Sequence, residues 1–183
     1  MASIIQWNLR GVIPQRPGLE QIISVQNPCV VALQETKLPN GKKISGFTNY
    51  EQYHCWYTDG VIACGGAALM ARRDLIQDEI PLNTNLQAVA IRVTLYGKAL
   101  SIVSLYLPPG TPRNSLYQDL VSLFAQIPAP ILCAGDMNAH NPLWGGCSRN
   151  RRGEIIERLL NEKDLFLFNS TKHTYICPNH IIY

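Results

Sequence analysis

Residues 86–107 read LQAVAIRVTLYGKALSIVSLYL, in which apolar and polar residues alternate on both sides of Tyr96-Gly97. Alternation with a period of two is typical of a strand, and a two-residue turn that contains glycine joins such strands into an antiparallel hairpin. The stretch therefore predicts paired strands at residues 86–95 and 98–107. Such a hairpin argues against a purely parallel, doubly wound sheet.

The segments that flank this hairpin alternate between short apolar runs and runs with helical spacing. Short apolar runs predict strands at residues 3–8, 29–33, 65–72, 130–135 and 165–168. Apolar residues three and four positions apart predict helices, the first with Pro17 in its first turn, at residues 17–26, 111–127 and 152–162. Residues 37–51 are rich in Gly, Lys and Asn and predict a loop. The order of these segments indicates the α/β (α+β) class, with sheets covered by helices.

Composition excludes several classes of protein. The chain has 183 residues, of which 46% are hydrophobic and 16% charged, so it can bury a sizeable core and general disorder is excluded. No apolar run approaches the roughly 20 residues that span a bilayer, and the N-terminus lacks the pattern of a secretory signal. We therefore expect an intracellular protein that has no membrane partner and keeps its six cysteines reduced.

Charge and motif patterns narrow the choice of ligand. The net charge of +3 permits a polyanionic partner only at a local basic patch. Neither GxGxxG nor GxxxxGK[ST] occurs, which excludes the usual dinucleotide and nucleoside triphosphate sites. His173, Cys177 and His180 have ligand-like spacing without the two clean pairs of a structural zinc motif, so a zinc site is the weaker hypothesis.

Polar side chains stand at the ends of four predicted strands. They are Asn8 in SIIQWN, Glu35 after CVVALQ, Tyr106 in SLYLPP, and Asp136 with Asn138 in GDMNAH. Residues just past strand ends project into a shared crevice, so these five side chains are candidates for one site. Each alone also fits an ordinary role, such as a turn, an exposed loop acid, core packing or an Asx turn.

The combination of these residue types points to phosphate chemistry. Carboxylate and amide oxygens are the hard ligands that Mg²⁺ prefers, and the ion usually keeps several waters. A second carboxylate can orient or deprotonate an attacking water, while a tyrosine hydroxyl and an asparagine amide can donate to a phosphate oxygen. The set therefore predicts a metal-assisted phosphodiester hydrolase.

Four motifs carry a resemblance to a known family. WNLRG, ALQETKL, SLYLPP and GDMNAHNPLWG, in that order, resemble the endonuclease/exonuclease/phosphatase superfamily, which includes apurinic endonucleases and DNase I. GDMNAHNPLWG followed by NRRG is more closely similar to the endonuclease domain of non-LTR (LINE-like, jockey- and R1-type) retrotransposon polyproteins. The resemblance implies a four-layered α/β/β/α sandwich of the DNase I-like type, with one domain over residues 1–183.

The resemblance also implies a role for each candidate side chain. Asn8 and Glu35 match the family's metal-site residues, for Mg²⁺ with Mn²⁺ as an alternative. Tyr106 matches the tyrosine that contacts the scissile phosphate. Asp136 matches the aspartate that orients or activates the attacking water, and Asn138 matches the asparagine that supports the oxyanion.

Further residues match positions near the DNA. Asn169 stands where the family often has another site asparagine, and Thr174 corresponds to a threonine close to the DNA. A basic cluster after the GDMNAH motif can grip phosphates, or it can be a solvated face of the following helix. The candidate DNA-contacting residues of this region are His140, Arg149, Arg151 and Arg152.

The implied function is nicking of a double-stranded DNA target, in the nucleus, to leave a 3′-hydroxyl that primes a downstream reverse transcriptase domain. Two alternatives stay open. One is a phosphodiesterase of the same superfamily that acts on lipid or inositol phosphates. The other is a non-catalytic remnant, or a fragment that binds DNA without cutting it.

The last family motifs are not found in this sequence. An SxIDL-like segment and SDHxP do not occur before Tyr183, and no histidine follows a Ser-Asp pair at positions 54, 140, 173 or 180. We therefore expect a domain that is incomplete at its C-terminus. Loss of one member of a site that works as a unit can lower a rate by several powers of ten, so we expect weak or absent hydrolysis.

Overall fold

The computed structural model describes residues 2–110 and 115–169, together with the backbone of two short strands near the C-terminus. Three α-helices and twelve strands lie within these described residues. In chain order they are β1 Ile4–Asn8, α1 Val12–Gln26, β2 Val30–Gln34, β3 Tyr50–Cys55, β4 Thr58–Asp59, β5 Ile62–Ala63, β6 Ala67–Arg72, β7 Gln77–Ile80, β8 Gln87–Leu95, β9 Lys98–Tyr106, α2 Leu116–Ala125, β10 Ile131–Asp136, α3 Arg151–Glu162, β11 Ile176–Cys177 and β12 His180–Ile181.

Two four-stranded sheets form the centre of the fold. The first has the order β1-β2-β6-β3 and the second the order β10-β9-β8-β7. Each sheet has one parallel pair of strands, β1 with β2 in the first sheet and β9 with β10 in the second. All other neighbouring strands in these two sheets are antiparallel. The predicted hairpin is confirmed as β8 and β9, which are joined at Tyr96 and Gly97, both with positive φ.

Three apolar clusters hold the layers together. Between the sheets, Leu69 of β6 packs with Ile91 of β8 and Ile102 of β9, all fully buried. On the outer face of the first sheet, α1 buries Leu19 against Leu33. The outer face of the second sheet is covered by α2 and α3. The layers therefore run α/β/β/α, which confirms the expected α/β class and four-layered architecture.

The first helix differs from its prediction because a distant segment sets its start. α1 begins at Val12, so Pro17 lies inside the helix and not in its first turn. The Gly11 N–H donates to the Glu35 carbonyl at 2.8 Å, and the Val12 N–H donates to Thr36 at 3.1 Å. These bonds satisfy N–H groups at the helix start that have no partner within the helix.

The strand predicted at residues 165–168 is wrong. This segment is coil, and the Leu165 N–H instead donates to the Leu160 carbonyl at 3.0 Å, which closes the end of α3. Its phenylalanines, Phe166 and Phe168, are exposed and pack edge to face on each other. Apolar residues make a strand only where a neighbouring strand accepts their backbone hydrogen bonds, and no described strand pairs with this segment.

The remaining differences concern polar strands and the ends of elements. β3 and β7 lie at the edges of the two sheets and carry YEQYHC and QDEI, which have no apolar run to reveal them. The predicted helix at 111–127 is confirmed as α2, while residues 111–114 lie outside the described part of the chain.

In the described residues no helix is both long and apolar enough to cross a bilayer. The five described cysteines are free thiols: Cys29, Cys55, Cys64, Cys133 and Cys147.

Candidate active site

The candidate side chains meet at one edge of the sandwich because two parallel strand pairs end there. In the first sheet Asn8 is the register partner of Gln34, the residue before Glu35. In the second sheet Asp136 is the register partner of Tyr106. Parallel strands bring their carboxyl ends to the same edge, so the motifs that end β1, β2, β9 and β10 become neighbours.

The Asn8 amide joins the two sheets at this edge. Its Nδ2 donates to Glu35 Oε1 at 2.9 Å and to Asp136 Oδ2 at 2.5 Å. Glu35 follows a strand of the first sheet and Asp136 ends a strand of the second, and Asn8 and Asp136 are 128 positions apart in the sequence. Three of the five predicted site residues are therefore in direct contact.

The backbone at the site adopts conformations that side chains rarely favour. Glu35 has φ 49° and Asn138 has φ 47°, both in the left-handed region, and Arg10 and Lys37 lie there too. A positive φ is uncommon for residues other than glycine, and such residues gather at functional sites where the surrounding structure holds them. Lys37 Nζ lies 3.5 Å from Glu35 Oε2, so the second oxygen of that carboxylate faces a cation.

Asp136 and Asn138 form an Asx turn that also serves the site. The Asn138 N–H donates to Asp136 Oδ1 at 3.0 Å, and Asn138 Nδ2 donates to the Leu107 carbonyl at 3.0 Å. Asp136 therefore uses one oxygen for the turn and directs the other to Asn8. The Asx turn and the contact with Asn8 form together, so the turn does not prevent Asp136 from taking part in the site.

Tyr106 lies beside the carboxylates and keeps its proton. The residue is 4% exposed, and burial raises the pKa of its hydroxyl; the charge of Glu35 and a hydrogen bond to that carboxylate raise the pKa further. Asp136 adds to the increase, while Arg152 opposes it. A phenol with a raised pKa stays a neutral hydrogen-bond donor over the ordinary range of pH.

Two asparagines that the sequence analysis missed hold the loop after Asp136 in place. Asn150, the N-cap of α3, accepts from the His140 N–H at 3.1 Å and from the Gly153 N–H at 2.7 Å. Asn141 accepts from the Leu143 N–H and donates to Glu157 of α3. The available signal was NRRG itself, since asparagine is a preferred N-cap residue immediately before a helix.

A buried polar network behind the site was also missed. Gln34 Nε2 donates to Ser104 Oγ at 2.9 Å, and Ser104 Oγ donates to the Leu33 carbonyl at 2.9 Å. Gln6 Nε2 donates to Gln34 Oε1 at 2.5 Å. Gln34 and Ser104 are fully buried between the sheets, so this network fixes the register of β2 against β9 just behind Glu35. The sequence signal for this network was the presence of polar residues within apolar strands, as in VVALQ and SIVSLY.

The basic cluster is mostly engaged with the protein itself. The Arg152 guanidinium donates to the carbonyls of Leu107 at 3.1 Å and Pro108 at 2.6 Å, which ties α3 to the end of β9. Arg149 pairs with Glu157 at 3.1 Å. Arg151 is exposed in the first turn of α3. The His140 side chain is exposed as well, and the loop that carries it begins at the site.

The remaining predicted residues lie apart from this group or outside the description. Asn169 is exposed in the coil after α3, and no hydrogen bond of the described residues joins it to Asn8, Glu35 or Asp136. Thr174 and the side chains of His173, Cys177 and His180 lie outside the described residues.

The donor set fits one hard divalent cation with few protein ligands. Across the described ranges, no cluster of three His, Cys, Asp or Glu side chains has metal-binding geometry. Two carboxylate oxygens, Glu35 Oε1 and Asp136 Oδ2, nevertheless converge on the Asn8 amide. The oxygen of the same amide, Asn8 Oδ1, accepts from the Arg10 N–H at 3.1 Å. Mg²⁺ is commonly bound through one or two carboxylates with several waters, which matches this set.

Comparison with known proteins gives a consistent result. The family profile described as "Endonuclease-reverse transcriptase" matches residues 100–182. The RNA-directed DNA polymerase from mobile element jockey of Drosophila funebris is 24% identical over 178 residues, which cover 96% of this chain and 19% of that protein. The probable RNA-directed DNA polymerase from transposon X-element of Drosophila melanogaster is 28% identical, with coverage of 95% and 19%. The chain thus spans about a fifth of the length of these relatives.

Solved structures agree on the fold. The endonuclease domain of TRAS1, a telomere-specific non-LTR retrotransposon, superposes with a TM-score of 0.78 at 20% identity and covers 92% of this chain and 75% of that one. An AP endonuclease from Archaeoglobus fulgidus gives a TM-score of 0.62 at 16% identity, with coverage of 88% and 71%. The resemblance of this chain to the endonuclease/exonuclease/phosphatase superfamily, and to the endonuclease domains of non-LTR retrotransposons within it, is therefore confirmed.

Proposed function

We propose that the chain is a Mg²⁺-dependent DNA endonuclease domain that hydrolyses a phosphodiester bond in one strand of a duplex. One observation carries the proposal. A single amide, Asn8 Nδ2, holds Glu35 and Asp136 together from two different sheets. Bringing two carboxylates onto one neutral donor at a strained edge has no benefit for packing, whereas it creates the oxygen-rich pocket that phosphate chemistry needs.

Each side chain has a distinct task in this proposal. Glu35 and Asn8 would hold Mg²⁺, which when bound neutralises charge on the phosphate and lowers the pKa of bound water. Asp136, fixed by its turn with Asn138, orients the attacking water and takes its proton. Tyr106, kept neutral, would transfer the hydrogen bond that its hydroxyl donates to Glu35 onto a phosphate oxygen, and the Asn138 amide supports the developing negative charge.

The surroundings of the site support DNA as the substrate. Arg151 lies in the first turn of α3, where the helix dipole disfavours a cation, and the loop before it starts at Asp136. We propose that this exposed cation lies close enough to the site to contact a phosphate of the duplex. The relatives named as RNA-directed DNA polymerases favour a polyprotein context, with a reverse transcriptase domain that uses the nicked strand in the nucleus.

The direct test is nicking of supercoiled plasmid with Mg²⁺, with Mn²⁺ and with EDTA. We expect a weak, metal-dependent conversion to the open circle, and we expect Glu35→Ala and Asp136→Ala to abolish it. Arg73→Ala, a change at an exposed ion pair on the edge of β3, is the matched control and should leave the rate unchanged. Nicking that survives both site substitutions would contradict the proposal. Parallel incubation with an inositol phosphate tests the alternative substrate class.

A second candidate function is DNA binding without cleavage. It is favoured by Lys37 and Lys42, exposed lysines of the loop after Glu35, because cations can contact DNA phosphates without any catalytic step. DNA binding that is insensitive to Glu35→Ala, together with no nicking in either metal, would support this function over the first.

A further inference from the structure

The β4–β5 hairpin presents two aliphatic side chains to solvent at its tip. Gly60 has φ 70° and opens the two-residue turn, as a tight turn of this kind requires. Val61 and Ile62 follow and are 95% and 73% exposed. Single exposed apolar residues are common on protein surfaces, but two consecutive ones at the tip of a hairpin form a small exposed apolar patch.

The root of this hairpin is bonded to the candidate active site. The Lys37 N–H donates at 2.9 Å to the carbonyl of Gly65, two residues after the hairpin. Trp56, two residues before the hairpin, donates from Nε1 to the Lys42 carbonyl at 2.8 Å. Both ends are thus fixed to the loop that follows Glu35. At about 3.3 Å per residue, Val61 lies at most about 13 Å from Gly65, a reach of about four base-pair steps.

Charge at the root favours a polyanion over another protein. Lys37 lies beside Glu35 with its side chain 42% exposed, and Lys42 is exposed in the same loop. The hairpin strands carry one charge, Asp59. A basic root with an apolar tip fits a DNA duplex, which has phosphates on its outside and stacked apolar bases within.

We propose that Val61 and Ile62 form a wedge that enters a DNA groove and unstacks a base step within about one turn of the duplex from the cut. The inference rests on the proposed function. Aliphatic side chains inserted between base pairs partly unstack and kink a duplex, and flexible steps yield most easily. The tip therefore selects where the strand is cut, while the chemistry stays with Glu35 and Asp136.

The test uses the full 183-residue chain with Val61→Ser and Ile62→Ser combined. Both side chains are exposed, so the double variant should fold as wild type, which a thermal melt verifies. The matched control combines Val25→Ser with Ile76→Ser, which are 77% and 73% exposed. Val25 precedes the start of β2, and the Ile76 carbonyl bonds to Thr94 next to the Tyr96 turn, so both lie at the opposite end of the sandwich.

The probe is a short DNA duplex that carries 2-aminopurine, whose fluorescence rises when it is unstacked, mixed with protein in EDTA to prevent cleavage. We expect wild type and the control to raise the fluorescence equally. The tip variant should lose most of that rise and bind about tenfold more weakly, with an unchanged salt dependence of binding. In Mg²⁺ the tip variant should also change the distribution of nicks along a plasmid.

Several outcomes would overturn the wedge. Equal fluorescence and equal nick distribution for tip and control variants would refute it while leaving the endonuclease proposal intact. A wild-type chain that binds no duplex would refute both proposals together. If sedimentation shows that wild type self-associates and the tip variant does not, with equal DNA binding, the tip is a contact between copies of the chain and the wedge is refuted.

Discussion

At the residue scale, Asn8 links the two sheets at the candidate site. Its amide is the only side chain in the described hydrogen bonds that contacts a carboxylate from each sheet. The amide carries no charge and has two N–H groups, so it can donate to one oxygen of each carboxylate. The sequence predicted Asn8, Glu35 and Asp136 as neighbours, because polar residues at strand ends share an edge. It did not predict which of them would bridge the other two.

We expect Asn8→Asp to make the site bind a divalent cation more tightly. Three carboxylates would then share one point, so in EDTA the free energy of unfolding should fall by about 2 kcal/mol. Mg²⁺ should restore most of this loss and raise the melting temperature more than in wild type, because a ligand that binds the folded state stabilises it. Thermal melts with and without Mg²⁺ measure both effects. Asn49→Asp, at an exposed position, is the control, and an equal Mg²⁺ response in both variants would contradict the expectation.

At the scale of elements, local sequence patterns predicted the strands whose structure depends mainly on neighbouring residues. Alternation predicted β8 and β9 with their turn, and a run of apolar residues predicted β2, which is buried along its whole length. The start of α1 and the coil at residues 165–168 were not predictable in this way. The first depends on carbonyls more than twenty residues away, and the second on the absence of a described pairing strand.

The junction of α3 with the site loop depends on Gly153. A Cβ at this position would lie 2.0 Å from the His140 carbonyl oxygen, far inside contact distance, and the obstacle is backbone. We expect Gly153→Ala to destabilise the fold by about 2 kcal/mol, because the overlap outweighs the gain of up to about 1 kcal/mol that alanine brings inside a helix. Urea unfolding measures the change.

A neighbouring position on the same helix supplies the control for this overlap. Glu154→Ala introduces the same residue at an exposed site of α3 and should change stability by less than about 0.5 kcal/mol. A Gly153→Ala protein as stable as wild type would mean that the loop and helix are not packed as closely as described.

At the scale of the whole molecule, the two sheets must lie in one register for the site to exist. Gln34 and Ser104, seventy residues apart, fix this register through a buried hydrogen bond. Pairings of this range leave no periodic trace in a single sequence, so the resemblance implied the layers but not the contact that aligns them. The site is thus a property of the assembled sandwich, although each of its residues belongs to a local motif.

Global stability should depend on pH through His54, on the edge strand β3. Burial lowers the pKa of this imidazole from 6.5 to about 4, and the charge of Lys43 adds to the effect. The ring stacks on Trp56, and its Nδ1 is a buried atom without a hydrogen-bond partner, so a second proton would have no acceptor. Between these two pKa values the unfolded chain binds more protons than the folded one, so stability rises with pH in that window.

We therefore expect about 3 kcal/mol of stability at pH 7 to be lost progressively as the pH falls from about 6.5 to about 4. His54→Gln should flatten this part of the profile, because glutamine does not titrate. His140→Gln, which changes an exposed histidine, should keep the slope of wild type. Urea unfolding at a series of pH values measures the slopes. A wild-type profile that is flat over this window, or one that His140→Gln flattens equally, would show that His54 does not remain neutral in the folded protein.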